Sequence, residues 1–368
     1  MTKYEIEVWN KDNKPIGDIR RLCSNLSWSK ALNDVEEVNF EINLNLFEDF
    51  LKKAGYKDDP YGFLDVGSHD IRIKRNGNYI IGCNVIKFSY SSEEAAIKMS
   101  VSCYGYLNYY KTRYITANYS KQLQEDILFD VIDKCNNTQG GDYGVRKGKL
   151  VGGGYVERDR NYERKEVKSL IQQMSEVIDG PDFDFSPDKK FNIYDIKGEF
   201  NPNIVIKYPG NVQSFSFDRS IDQVANAVTS LGSGNGQNVV KSYAQDIKSA
   251  SEVYRREKIT SYNSVTDQNT LNQHCLADLA MYRNIIELPS VTVNDGVIDL
   301  NSVDVGDVIT VELSGCASLK HINGYYRIIG IDCAVDDNDA ETTTLTFDND
   351  NIEEIINKQE ALKNVRKA

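Results

Sequence analysis

The clearest alternation of apolar and polar positions lies between Val305 and Phe347. Ile309, Val311 and Leu313 alternate with Val308, Thr310 and Glu312, which predicts a half-buried strand. Asn323-Gly324 is a turn pair, Tyr326, Ile328 and Gly330 open a second strand, and the β-branched run Thr342–Phe347 forms a third. Three strands in so short a span predict a meander.

A weaker copy of this pattern sits near the other end of the chain. Val66-Gly67 precedes Ile71-Arg72-Ile73, then come Asn76-Gly77-Asn78-Tyr79-Ile80-Ile81-Gly82 and Ile97–Val101. Asn76, Gly77, Tyr79 and Ile81 fall on Asn323, Gly324, Tyr326 and Ile328 at one constant offset. A second matched pair lies upstream of each meander, Leu26–Val35 against Phe215–Val224, with Trp28 on Phe217 and Lys30 on Arg219. Two matches in the same order predict an internal duplication.

Around these words the remaining periodicities fall into place. Tyr4, Ile6 and Val8 alternate ahead of the turn at Asn10–Lys14, which predicts a hairpin; Asn39–Leu46 alternates again, and Phe47–Lys53 reads as a short helix ending by Gly55. From the tyrosine-rich stretch Tyr104–Tyr119 the period changes. Ser120 is placed as the cap of a helix carrying Leu123, Ile127, Leu128, Val131, Ile132 and Cys135, and a second helix is expected over Lys165–Ile178. Thr138–Gly154 is glycine-rich and reads as a mobile loop or hairpin, and Phe183–Tyr194 as a hairpin around Ser186–Lys189. Strands are expected at Val239–Ala244 and Lys258–Ser261, a helix capped by Thr270 carries Leu271, Cys275, Leu279 and Tyr282, and Asn351–Ala368 is a polar helix. The predicted class is α+β and β-rich: a first β-barrel domain over 1–103, an α/β domain over 104–210, a second β-barrel domain with a helical insertion over 211–350, and a C-terminal helix over 351–368.

Composition narrows the function classes. At 368 residues the chain is long enough for two to three domains, and 40% apolar with 27% charged residues is ordinary for a globular protein. No run approaches the ~20 apolar residues of a membrane span, and Met1–Asn10 lacks the basic start and apolar core of a signal peptide, so folding in a cytosol is expected. The seven cysteines, Cys23, Cys83, Cys103, Cys135, Cys275, Cys316 and Cys333, are odd in number and form no C-x-x-C pair, which favours buried free thiols. A net charge of −12 argues against gripping nucleic acid through its phosphates.

Candidate chemistry is sparse. His69, His274 and His321 show no ligand spacing, and Gly148-Lys149 is followed by Leu150 rather than the Ser or Thr of a phosphate loop. Asp182 and Asp184 share a face of D-F-D-F, and Asp336, Asp337 and Asp339 crowd a hairpin tip; solvated turn acids are the expectation for both groups, over paired glycosidase carboxylates or a calcium loop. The six tyrosines between Tyr104 and Tyr119 are expected to pack at a domain junction, with a sugar-binding platform as the alternative. No catalytic, cofactor-binding or metal-ligating residue is assigned.

Four segments resemble the baseplate hub, or tail-tip hub, family of long-tailed bacteriophages: Tyr4–Ile19, Gln172–Phe185, Ser216–Gly234, and Val305–Leu313 followed by Tyr325–Asp332 and Thr344–Phe347. The resemblance implies two tube-like β-barrel domains per chain and a homotrimer that forms a pseudo-sixfold ring between the tail tube and the tip. It also implies partners in a distal tail or tube protein and in a spike, fibre or tape-measure protein, a place in the virion tail after synthesis in the host cytoplasm, and DNA passing without specific binding. It implies a structural component rather than an enzyme, with no cofactor. A host-carbohydrate-binding tail module, and a cell-wall hydrolase, are the alternatives.

Overall fold

In the computed structural model, which describes residues 2–93, 96–263, 265–283, 286–315, 317–348 and 352–367, the chain opens with the expected hairpin, β1 (Tyr4–Trp9) and β2 (Pro15–Asp18). Tyr4, Ile6 and Val8 all point into the core, as period-two alternation requires. A second hairpin, β3 (Cys23–Ala31) and β4 (Glu37–Asn43), ends where the Asn43 side chain accepts the backbone N–H groups of Asn45 and Leu46 and so starts α1 (Leu44–Ala54). Phe47 and Leu51 are the buried face of α1, and Gly55, in the left-handed region, stops it. After the single turn α2 (Pro60–Phe63) come β5 (Asp70–Arg75), β6 (Asn78–Glu93) and β7 (Ala96–Gly105). Asn76 and Gly77 both take positive φ, 51° and 81°, which is what a two-residue hairpin loop between β5 and β6 demands.

The middle of the chain is a separate α/β layer. It comprises β8 (Tyr114–Leu123), α3 (Gln124–Asn136), β9 (Arg146–Val151), β10 (Glu157–Glu166), α4 (Val167–Ser175), β11 (Asp182–Phe185) and β12 (Lys190–Tyr194). β8 and β10 form an antiparallel ribbon, while β12 pairs β11 antiparallel and β9 parallel. Ser120 is not a helix cap: it lies in β8, whose alternation buries Ile115 and Tyr119, and α3 starts later with Glu125 and Asp126 in its first turn. The glycine-rich segment is not wholly a loop either, since β9 crosses it to pair with β12.

The remainder begins with β13 (Phe200–Tyr208) and β14 (Ser214–Ser220). A small unit follows: β15 (Ala227–Leu231), β16 (Lys241–Gln245), α5 (Ile247–Val253), β17 (Glu257–Ser261) and α6 (Gln268–Tyr282), with Val228, Cys275 and Leu279 at its own core. Asp267 rather than Thr270 caps α6, accepting from the N–H groups of Asn269 and Thr270, and Thr270 is buried within the helix. The chain then returns through β18 (Ile286–Asn294), β19 (Val308–Leu313), β20 (Gly324–Val335) and β21 (Glu341–Asp348), and ends in α7 (Ile352–Lys367).

The protein is therefore a β-rich α+β molecule built on one 13-stranded sheet. Within that sheet the order β3-β4-β7-β6-β5 in the first part repeats as β14-β18-β21-β20-β19 in the last, with every neighbouring pair antiparallel in both. Trp28 pairs with Val38 as Phe217 pairs with Pro289, in line with the match expected from sequence. In the meanders the equivalence differs from the constant-offset reading. Ile71 faces Cys83 as Ile309 faces Tyr326, and both long strands carry an irregularity one step later, between Val85 and Lys87 and between Ile328 and Gly330. Cys83 and Val85, not Tyr79 and Ile81, stand where Tyr326 and Ile328 stand. The small unit β15–α6 lies between β14 and β18, where the first part has only the turn between β3 and β4.

Candidate functional site

Two features join the three parts of the molecule, and both are built from residues far apart in sequence. One is a strand seam. β20 pairs β3 antiparallel, with Ile331 opposite Lys30, Cys333 opposite Trp28 and Val335 opposite Leu26. Beneath it the Trp28 Nε1–H donates to the Tyr4 hydroxyl at 3.1 Å, and the Tyr4 O–H donates to Glu341 at 2.6 Å. Arg75 grips the same carboxylate with two N–H groups, at 2.6 and 2.9 Å. Both charged side chains are almost wholly buried, which only a bidentate, hydrogen-bonded pair sustains. Burial, and then the neighbouring Cys333 and Glu341, push the Tyr4 phenol far above its ordinary range, so it acts as a neutral donor.

The other feature is a polar cavity of about 550 Å³ where the first part, the middle layer and the last part meet, lined among others by Lys30, Glu36, Asp184, Lys197, Asp304 and Asp307. Lys197 reaches Asp184 at 2.9 Å and Asp304 at 3.4 Å, and Lys30 reaches Asp304 at 2.9 Å. Burial opposes the charge on Asp304, but Lys30 and Lys197 override it and hold the carboxyl below its ordinary range. Among the described residues Glu36 has no such cation at contact distance, and burial pushes its carboxyl up to about 7; burial likewise lifts Asp307 to about 6, although its oxygens accept the N–H groups of Glu199 and Asp304. Arg327 links the wall to Asp182 and to the carbonyls of Gly306 and Lys197, and the Gln359 amide of α7 donates to the same two carbonyls. The terminal helix is thus pinned to the junction.

The candidate chemical groups fall outside any common cleft. Asp182 and Asp184 are not solvated turn acids: they sit on β11 and are tied to Asn33 and Arg327, and to Asn192 and Lys197, respectively. Asp336 and Asp339 do shape the β20–β21 turn, Asp336 accepting the N–H groups of Asn338 and Ala340, while Asp339 pairs with Arg20. His69 accepts the Asp65 N–H through its Nδ1 at the base of a loop, and His274 stacks on Tyr262 with its basicity lowered, by burial first, to about 3; the His321 side chain lies outside the described ones. Among the described residues no cluster of His, Cys, Asp or Glu has the makings of a metal site. Cys23, Cys83, Cys103, Cys135, Cys275 and Cys333 are free and buried, whereas Cys316 lies outside the described residues. Tyr106, Tyr110 and Tyr119 are buried in the middle layer and Tyr109 stacks between Tyr106 and Tyr143, whereas Tyr114 is 63% exposed, so the rings do not form one platform. No described helix is long and apolar enough to cross a membrane.

Comparison with known proteins places this fold. No protein-family model matches the chain, and no curated protein sequence matches it. Among solved structures it is similar to a tail protein from Neisseria meningitidis MC58, with a TM-score of 0.64 at 12% identity over 94% of this chain and 97% of that one. It is equally similar to the 43 kDa tail protein of prophage MuSo2 from Shewanella oneidensis, with a TM-score of 0.64 at 14% identity over 94% and 98%. The prophage tail protein gp18 from Listeria monocytogenes EGD-e aligns with a TM-score of 0.57 at 13% identity over 97% and 98%. The chain has the fold of these phage tail proteins along nearly its whole length.

Proposed function

We propose that this chain is a non-enzymatic structural component of a phage tail tip or baseplate: a hub in which three copies form a pseudo-sixfold ring that joins the tail tube to a central spike or fibre and surrounds the DNA exit path. The observation that carries the reading is the repeated strand order, β3-β4-β7-β6-β5 and β14-β18-β21-β20-β19, joined edge to edge through β20 and β3. Two similar units per chain, each presenting one edge to the next, let three chains close a ring of six without six kinds of subunit. The two units are the duplicated tube-like barrels of this reading. The whole-length likeness to phage tail proteins supports a place in the virion tail, with a tube or distal tail protein on one side and a spike or fibre on the other. A net charge of −12 suits a passage through which DNA slides without adhering.

Electron cryo-microscopy of tails, with this chain located by a tag on its terminus, tests the reading. Three copies in a six-lobed ring at the tube's distal end is the expected result. A chain absent from the particle, or present as a single copy off the tail axis, overturns it.

A further inference from the structure

The seam inside the chain has a counterpart that is open. In the last part, β20 is flanked on one side by β21 and on the other by β19 and then, past Ile329, by β3. In the first part, β6 is flanked by β7 on one side and by β5 on the other only as far as Asn84. From Lys87 to Ser92 its second edge pairs with no described strand. β14, which holds in the last part the place that β3 holds in the first, pairs with β18 and ends the sheet among the described strands. One strand edge of the β20 kind and one of the β3 kind are thus left over in each chain.

Resting on the ring reading above, we infer that β6 of one copy pairs antiparallel with β14 of the next, in the register that the internal seam dictates. Carrying Gly330↔Ala31 through Val335↔Leu26 onto the equivalent residues puts Phe88 opposite Arg219, Tyr90 opposite Phe217, Ser91 opposite Ser216, and Ser92 opposite Phe215 of the neighbour. The side chains fit that docking. Tyr90 is 55% exposed and Phe88, Phe215 and Phe217 are only half-buried, whereas their counterparts Cys333, Ile331, Leu26 and Trp28 are buried inside the chain. Beside Phe88 and Tyr90 opens a cavity of about 530 Å³ lined by Phe47, Leu51, Leu64 and Met99. Phe217 of the neighbour enters at this position, as Trp28 enters the core beneath Cys333.

A charge pair marks the register independently. Across the internal seam Lys30 bonds Asp304 at 2.9 Å, and Asp304-Val305-Gly306 has its counterpart in Asp65-Val66-Gly67. The N–H groups of Gly306 and Gly67 donate to the equivalent carbonyls of Ile328 and Val85, both at 2.7 Å. Arg219 holds the position of Lys30, so its guanidinium meets Asp65 of the next copy at the joint.

Two measurements on the full-length protein test this joint separately from the ring. Oxidising the double variant Ser91→Cys/Ser216→Cys gives covalent dimers and then three-chain species on a non-reducing gel, with neither single variant doing so. In sedimentation, Arg219→Glu and Asp65→Arg each weaken self-association by about tenfold, and the double swap restores it. Three-chain particles without the cross-link, or with no response to the charge variants, overturn the joint and leave the ring standing. A chain that stays monomeric and uncross-linked, alone and in assembled tails, overturns both.

Discussion

Gly67 and Gly306 perform one task in two places. Each takes a left-handed φ, 70° and 98°, and each donates its N–H at 2.7 Å to the carbonyl just before an irregularity in a long strand, Val85 in β6 and Ile328 in β20. In return Val85 and Ile328 donate their own N–H groups to His69 and Asp307, at 3.0 and 2.8 Å. A repeated strand order arises from broad hydrophobic patterning, but a matched pair of left-handed glycines locked to matched bulges specifies the same bend in both halves of the sheet.

The two glycines differ in surroundings, and that gives a first prediction. A Cβ on Gly67 meets no atom within 4 Å, so Gly67→Ala carries only the left-handed backbone cost, about 1 kcal/mol. A Cβ on Gly306 comes to 2.8 Å from the Lys197 carbonyl oxygen, so Gly306→Ala adds a backbone clash and loses more than about 2 kcal/mol. Denaturant midpoints rank the variants, and the opposite order contradicts the assignment.

The Arg75–Glu341 pair predicts non-additivity. Arg75→Met strands the buried carboxylate and costs about 3 kcal/mol, while Arg75→Met/Glu341→Leu removes both charges and recovers more than half of that loss. Equal losses for the single and the double variant in chemical denaturation would count against a desolvated pair.

Glu36 and Asp307 set the pH dependence of the junction. Their folded values, about 7 and about 6, stand above the ordinary 4.5 and 3.8. The folded chain therefore binds more protons than the unfolded chain between those limits, and their contribution to stability falls as pH rises from about 4.5 to about 7. Glu36→Gln flattens that part of the stability–pH curve by about 1 kcal/mol, a figure discounted for partial solvent screening. Asp304 acts in the opposite sense. Lys30 and Lys197 hold it below 3.8, so its contribution is present above that value and is lost as pH falls through its folded one. Denaturation curves from pH 4.5 to 8 for the native chain and the Glu36 variant read the difference.

Strands with one wet face were legible in the sequence because their period is local: β1, β19 and the D-F-D-F hairpin stand where alternation put them, whereas the Asn39–Leu46 run is cut at Asn43, where capping starts α1 and takes Leu44 and Leu46 into the helix. β10 was not, because it reads as Glu-Arg-Asp-Arg-Asn-Tyr-Glu-Arg, and the residues it buries include Arg158 and Arg160. Arg158 is accommodated by hydrogen bonds to Gln124 and to the Ile178 carbonyl, partners that no periodicity announces. The Asn-Gly words misled for a related reason. Asn76-Gly77 closes a tight hairpin, whereas Gly324 opens β20 after a helical turn at Ala317–Ile322, so identical letters occupy different positions in the two repeats. The junction was the least legible feature, since Lys30 meets Asp304 and Arg75 meets Glu341 across most of the chain's length.

The β20–β3 seam also bears on how an assembly of such chains would grow. Because both strands belong to one polypeptide, that joint forms at an effective concentration fixed by the tether and is indifferent to dilution. Only joints between molecules respond to supply, so closing the proposed six-lobed ring is a third-order problem rather than a sixth-order one. In the proposed ring, three molecules then nucleate at concentrations where six separate subunits would stay apart.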